Sequence, residues 1–274
     1  VEGIEMSTVT ETIVEKKGME EEITRFDIQQ VIQHSVLALS FILLVITGFP
    51  QKFSSLGISK WWVTVWGGLN NVQTVHHYAA YVIVAVSLYH LGYIFTNAVL
   101  KKHFPVDMIP SFQDAIKLIQ EFAYFFGIRK ERPEYGRFNW REKFDYWAIF
   151  WGMPVMAISG FILLFPKAAT SFLPGWVVPT AFIAHSDEAM LALSWIVFVH
   201  IFFNHFTPGV LLNNTTMFNG KVPRQRYSRD HSLEYKRLLS AISSQKKTEP
   251  PPSTDGTQTP PLSNEQENKA PPAP

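Results

Sequence analysis

Four histidines interrupt apolar stretches of this chain: His76 and His90, fourteen residues apart in "VHHYAAYVIVAVSLYHLGYIF", and His185 and His200, fifteen apart in "HSDEAMLALSWIVFVH". On an α-helix these spacings are about 21 and 22 Å, and each pair returns to within about 60° of one face. Each segment therefore presents an imidazole near both of its ends. The chain has no cysteine, which excludes disulfides, cysteine-ligated iron–sulfur clusters and covalently attached c-type haem, and leaves His, Met, Asp or Glu to bind any metal. Two helices that each offer two inward imidazoles at matched depths have the layout needed for two b-type haems, each between two axial histidines. Ala79 and Ala80 lie about one turn from His76, and Ala189 one turn from His185, where a porphyrin face would press.

The elements that must position these residues are long apolar runs at roughly 29–49, 74–97, 144–166 and 184–207. Each approaches the ~20 residues that cross a bilayer as a helix, and none shows the period-two alternation of a strand. The expected fold is all-α: an integral membrane four-helix up-down bundle with haems between the helices. In that topology the second and fourth spans run in the same direction, so His76 stands level with His185 and His90 with His200. The chain divides into a polar arm (1–28), a four-span domain (29–222) and a polar, proline-rich disordered tail (223–274), with residues 107–126 expected as an interfacial helix. The opening residues are acidic and lack the layout of a secretory signal. Lys and Arg crowd segment 98–143 and the stretch after the last span, whereas 50–73 holds only Lys52 and Lys60 and 167–183 only Lys167. This asymmetry predicts cytoplasmic N- and C-termini in a bacterial or archaeal inner membrane. Lys+Arg 24 against Asp+Glu 23 gives no reason to expect a nucleic-acid partner.

A single histidine in a span can simply hydrogen-bond a neighbouring helix, but four at matched depths are hard to assign to packing. His205 lies about 140° around the helix from His200 and reads as structural or interfacial. His77 points toward a neighbouring helix, or replaces His76 if the register differs by one. His103 and His231 lie in polar flanks and read as solvated. Two other classes of function remain compatible with the pattern: a histidine-based metal or proton transporter, and a standalone superoxide- or ferric-reducing haem enzyme.

The first span adds His34 in "RFDIQQVIQHSVLALSFILLVITGFP", level with His90 and His200. The Arg-Phe leader, the early His and the Thr-Gly fourteen residues after it resemble the first span of the b-type cytochrome subunits of formate dehydrogenase and nickel–iron hydrogenase. The likeness continues through "VHHYAA", "YGRFNWREKFDYWAIFWGMPVMAISGFILLF" and "HSDEAMLALSWIVFVH", covering about residues 25–222. It implies a dihaem, quinone-linked electron conduit of a respiratory chain that anchors a catalytic partner, an iron–sulfur or multihaem c-type subunit, to the membrane. It implies His34 with His200 on the inner haem, His76 with His185 on the outer one, and a quinone pocket near Asn139, with Glu142 where relatives often have Gln. Asp187 and Glu188 could instead serve quinol oxidation at the outer face, or cap the fourth span. His90 departs from the family pattern. Helix geometry favours it as the partner of His200, the resemblance favours His34, and a third haem would use both.

Overall fold

A computed structural model describes residues 13–17, 20–100, 106–206 and 214–248. In chain order its elements are β1 (Ile13–Lys17), β2 (Glu20–Thr24), α1 (Ile28–Lys52), α2 (Gly57–Val65), α3 (Leu69–Val99), α4 (Phe112–Phe125), α5 (Trp140–Leu164), α6 (Pro166–Thr170), α7 (Val177–His205), α8 (Thr216–Asn219), β3 (Lys221–Pro223), α9 (Arg224–Asp230) and α10 (Ser232–Thr248). Among the described residues, α1, α3, α5 and α7 are the helices long and apolar enough to cross a membrane. Their outer faces carry Trp151 at 75% exposure, Phe198 at 74% and Leu39 at 64%, which water would not tolerate in such density and lipid does. The chain is an integral, all-α membrane bundle.

Two spans begin on the same device. Asp27 accepts the Gln30 amide at 2.8 Å while Gln30 Oε1 accepts the Asp27 amide at 3.1 Å, and Asn139 and Glu142 repeat the exchange at 3.0 and 2.9 Å. These reciprocal caps satisfy amide groups that would otherwise lack partners where α1 and α5 enter the bundle. α1 packs along α3 and α5 along α7, whereas the two hairpins touch each other only sparsely. A continuous cavity of about 1870 Å³ opens between them.

The polar ends are more structured than their composition suggests. β2 pairs antiparallel with β1 and with β3, setting Ile23 opposite Val222, so the segments before α1 and after α7 meet at one end of the bundle. Ile23, Val222 and Tyr227 form a small buried cluster covered by Tyr235 and Leu238. Gly220 makes the crossing possible: at φ 73° its carbonyl accepts the Arg25 and Phe26 amides, and a Cβ there would collide with the Phe26 carbonyl oxygen. The arm is thus not wholly solvated, and the tail is helical through Thr248; residues 1–12 and 249–274, with the most proline-rich stretch, lie outside the described residues, as does His103. His231, expected to be solvated, is 2% exposed. Its Nδ1–H donates to the Gly136 carbonyl at 2.8 Å and its Nε2 accepts from Arg25 at 2.7 Å, so a long-range clip buries it.

The helix expected over residues 107–126 is α4, whose apolar residues Phe112, Ile119 and Phe122 are exposed. Its other face buries Glu121 at 2% exposure, where the carboxylate accepts from Arg132 (2.9 Å), Arg141 (3.2 Å), Tyr135 (2.9 Å) and Trp140 (2.6 Å). Burial alone would raise its pKa, but Arg141 and the hydrogen bonds outweigh it and hold the carboxyl below its usual range.

Two outcomes follow. Glu121→Gln leaves Arg132 and Arg141 facing a neutral group and should cost about 3 kcal/mol, as breaking a buried ion pair does, read as a lowered thermal midpoint in detergent. Burial, reinforced by Arg25, lowers the pKa of His231, so its neutral form contributes stability above about pH 6.5 that is lost as pH falls through the lower folded value. Proteolysis of the 224–248 helices should therefore accelerate on acidification below pH 6.5, and His231→Gln should remove that dependence.

Candidate haem sites

Four of the singled-out histidines come together as two pairs. His34 on α1 and His200 on α7 have ring centroids 6.3 Å apart with planes 27° apart; His76 on α3 and His185 on α7 have centroids 6.3 Å apart with planes 67° apart. Each pair is thus spaced widely enough for one iron to be held between its two imidazoles, were haem bound. All four rings line the central cavity, one pair toward each end.

The far nitrogen of three of these rings, His76, His185 and His200, is held by the protein. Thr47 Oγ1 lies 3.0 Å from His76 Nδ1, and Ser159 Oγ lies 3.1 Å from His185 Nδ1. Each hydroxyl donates its one proton to a carbonyl of the preceding turn, Leu43 or Val155, so it can only accept from the imidazole. That fixes the Nδ1–H tautomer and leaves the Nε2 lone pair for a metal. Gly48 and Gly160 follow these hydroxyls in sequence, and a Cβ at either would meet the facing histidine at 3.2 and 3.1 Å. At the other end, Asp145 Oδ2 accepts from His200 Nδ1 at 2.8 Å while its Oδ1 accepts from Trp195 at 2.6 Å. A carboxylate in this position fixes the tautomer and orientation of the ring. His200 itself lies in a π-helical turn, Ile196–Ile201, which absorbs one extra residue and turns the ring back onto the His185 face.

Among the described residues His90 is not paired with a second imidazole. Its Nδ1 lies 2.6 Å from Gln33 Oε1 and its Nε2 3.3 Å from the Tyr146 hydroxyl, so both ring nitrogens meet protein groups. Asn139 is 8% exposed and lines the cavity, but its Oδ1 is committed to capping α5. Glu142 is ion-paired with Arg25 at 2.8 Å, and Asp187 with Lys52 at 2.7 Å. His77 sits edge-on to His76 at 6.4 Å, and His205 is partly exposed at the end of α7.

Sequence reasoning missed Thr47, Ser159 and Asp145 as partners of the histidines. A signal was present: "ITGF" in the first span and "ISGF" in the third are the same cradle written twice. Gln33 and Asp145, His34 and Tyr146, and Thr47 and Ser159 are separated by one identical interval, so the two hairpins are repeats of one another. The pairs Thr47–His76 and Gln33–His90 in the first hairpin correspond to Ser159–His185 and Asp145–His200 in the second.

The donor set fits haem better than a bare ion. Among the described residues no group of three or more His, Asp or Glu converges as a free metal would require, whereas an iron porphyrin needs only two protein ligands. The cavity also exceeds the roughly 300–1,000 Å³ of a pocket for one small molecule. Gly160→Val should push His185 off its position and lower haem content, while the same change at Gly57, which has nothing within 4 Å of its Cβ position, should not; pyridine-haem quantitation on the purified variants reads the difference.

A comparison with curated proteins returned no match. The family model described as prokaryotic cytochrome b561, that of the nickel–iron hydrogenase cytochrome b, matches residues 25–220, which takes in all four spans and both histidine pairs. The chain therefore belongs to the prokaryotic cytochrome b561 family, a family of membrane b-type cytochromes that bind haem and act in electron transfer.

Proposed function

We propose that this chain is a dihaem cytochrome b that carries electrons between a quinone pool and a redox partner subunit of a respiratory complex. The observation that carries the reading is the equal spacing of two imidazole pairs at opposite ends of one cavity, His34 with His200 and His76 with His185. Haem supplies the one-electron chemistry when bound. The chain's own part is to place four imidazoles in two pairs, three of them held at Nδ1, and to keep the pairs about 21 Å apart along the helices. His90 has protein partners at both nitrogens, which favours two haems over three.

The quinone site of this reading lies beside the His34–His200 pair, where Asn139 lines the cavity at the start of α5. Oδ1 is occupied by the Glu142 amide, so the Nδ2 group is the donor available to a quinone carbonyl. The positively charged loops put this end of the bundle, with both terminal segments, at the cytoplasmic surface. The partner, an iron–sulfur or multihaem c-type protein, docks at the opposite end, where the connections around α2 and α6 are short.

Two variants test the reading. His185→Ala should remove one of two haems and leave the other, and retention of both would overturn the pairing. Asn139→Ser keeps an oxygen to cap α5 but removes the amide donor; it should slow quinone-linked turnover about tenfold with haem content unchanged. Unchanged turnover would move the quinone site elsewhere.

A further inference from the structure

The repeat relating the two hairpins leaves one position unexplained. In the second hairpin Asp145 orients His200, and the ring of His200 faces His34 across the cavity. In the first hairpin the corresponding residues are Gln33 and His90, and the residue corresponding to His34 is Tyr146. The repeat thus generates a second histidine site in which a phenol replaces the second imidazole and a neutral amide replaces the carboxylate. We propose that this site, Gln33–His90–Tyr146, is a proton relay serving the quinone pocket. The proposal rests on the quinone reading above.

The geometry supports transfer in a defined order. Gln33 Oε1, 2.6 Å from His90 Nδ1, accepts the Nδ1–H proton, which leaves Nε2 as the acceptor of the Tyr146 hydroxyl at 3.3 Å. His90 lies off the cavity, whereas Tyr146 lines it. Tyr146 stands two helical turns below Asn139 on the same face of α5, with Glu142 between them, so the hydroxyl and the proposed quinone share one wall. On the other side, the ring of Tyr93 stacks against His90 at 6.4 Å and its hydroxyl donates to Asp27 Oδ2 at 3.1 Å, at the exposed start of α1. The groups around His90 are therefore Gln33 on α1 with Asp27 beyond it, Tyr93 and Tyr89 on α3, and Tyr146 on α5. The Gln33 amide nitrogen is buried and has no partner among the described residues, which leaves a donor free for a water on the path to Asp27.

In quinol oxidation each O–H bond of the quinol breaks, and its proton goes to the Tyr146 oxygen as the Tyr146 proton passes to His90 Nε2. The imidazolium then releases its Nδ1 proton toward Gln33 and the Asp27 surface, and the ring, left with its proton on Nε2, returns to the Nδ1–H tautomer before it takes the second proton. Two such transfers accompany the loss of two electrons, which a b-type haem held by His34 and His200 would take up singly, so quinol yields quinone, two protons and two electrons. Quinone reduction runs the same path backwards. His90 acts through Tyr146 and touches no substrate, while Tyr146 is the group that meets the quinone.

The test uses the purified full-length chain with haem bound, in nanodiscs, following haem reduction by duroquinol and separately by dithionite across pH. His90→Gln and Tyr146→Phe should retain full haem content and the wild-type dithionite rate. Their duroquinol rate should fall about 100-fold, and its pH dependence should flatten, as expected on losing a general base. Duroquinol rates and pH profiles like those of wild type would overturn the relay and leave the quinone reading standing. Wild-type protein that duroquinol cannot reduce while dithionite can would overturn the quinone reading and the relay with it. Loss of a haem in His90→Gln would make His90 a ligand and overturn the relay alone; Tyr146→Phe, which removes only a hydroxyl, then separates ligation from folding.

Discussion

The structure is organised around one requirement: an imidazole buried in a membrane bundle must be held by one nitrogen so that the other can work. At His76 and His185 a hydroxyl whose proton is already spent on a helical carbonyl can only accept from Nδ1. At His200 a carboxylate does the same. These contacts fix tautomer and orientation together, and the cavity between the hairpins exists because Nε2 must point somewhere other than a neighbouring helix. Gly48 and Gly160 follow from the same requirement, since a side chain at either would press on the ring the adjacent hydroxyl grips.

The correspondence between the two hairpins is how one chain supplies two such sites. Each hairpin carries a Thr-Gly or Ser-Gly cradle, a histidine opposite it, and a polar residue one segment earlier that orients a second histidine. Among the corresponding positions that differ, His34 and Tyr146 decide which histidine meets another across the cavity. The fourth span has an extra residue between its histidines, and the π-helical turn around His200 absorbs it. A regular helix would leave that ring about 60° around the axis from His185.

Outside the bilayer, the fold spends charged and polar residues on closure. Glu121 gathers donors from Arg132, Tyr135, Trp140 and Arg141 and fastens α4 to the start of α5. Arg25 joins His231, Glu142 and the Arg137 carbonyl, tying three distant segments together at the same end. This end of the cavity is therefore bordered by fixed charge, in contrast to the lipid-facing aromatic residues of the spans.

The sequence by itself determined the four spans and their helical nature, and singled out His34, His76, His90, His185 and His200 within them, because runs of about 20 apolar residues have only one way to satisfy their backbone in lipid and polar interruptions in them are costly. It left His34 and His90 as rivals, since both sit at the same depth and helical periodicity says nothing about how one hairpin rotates against another. Tertiary packing decided between their settings: His90 turns toward Gln33 and Tyr146, and His34 toward His200. The β2–β3 pairing and the burial of His231 were equally invisible, because Ile23 and Val222 lie at opposite ends of the chain and neither flank is apolar enough to announce a core. Local pattern records what each segment must bury; only the assembled molecule determines which neighbour it is buried against.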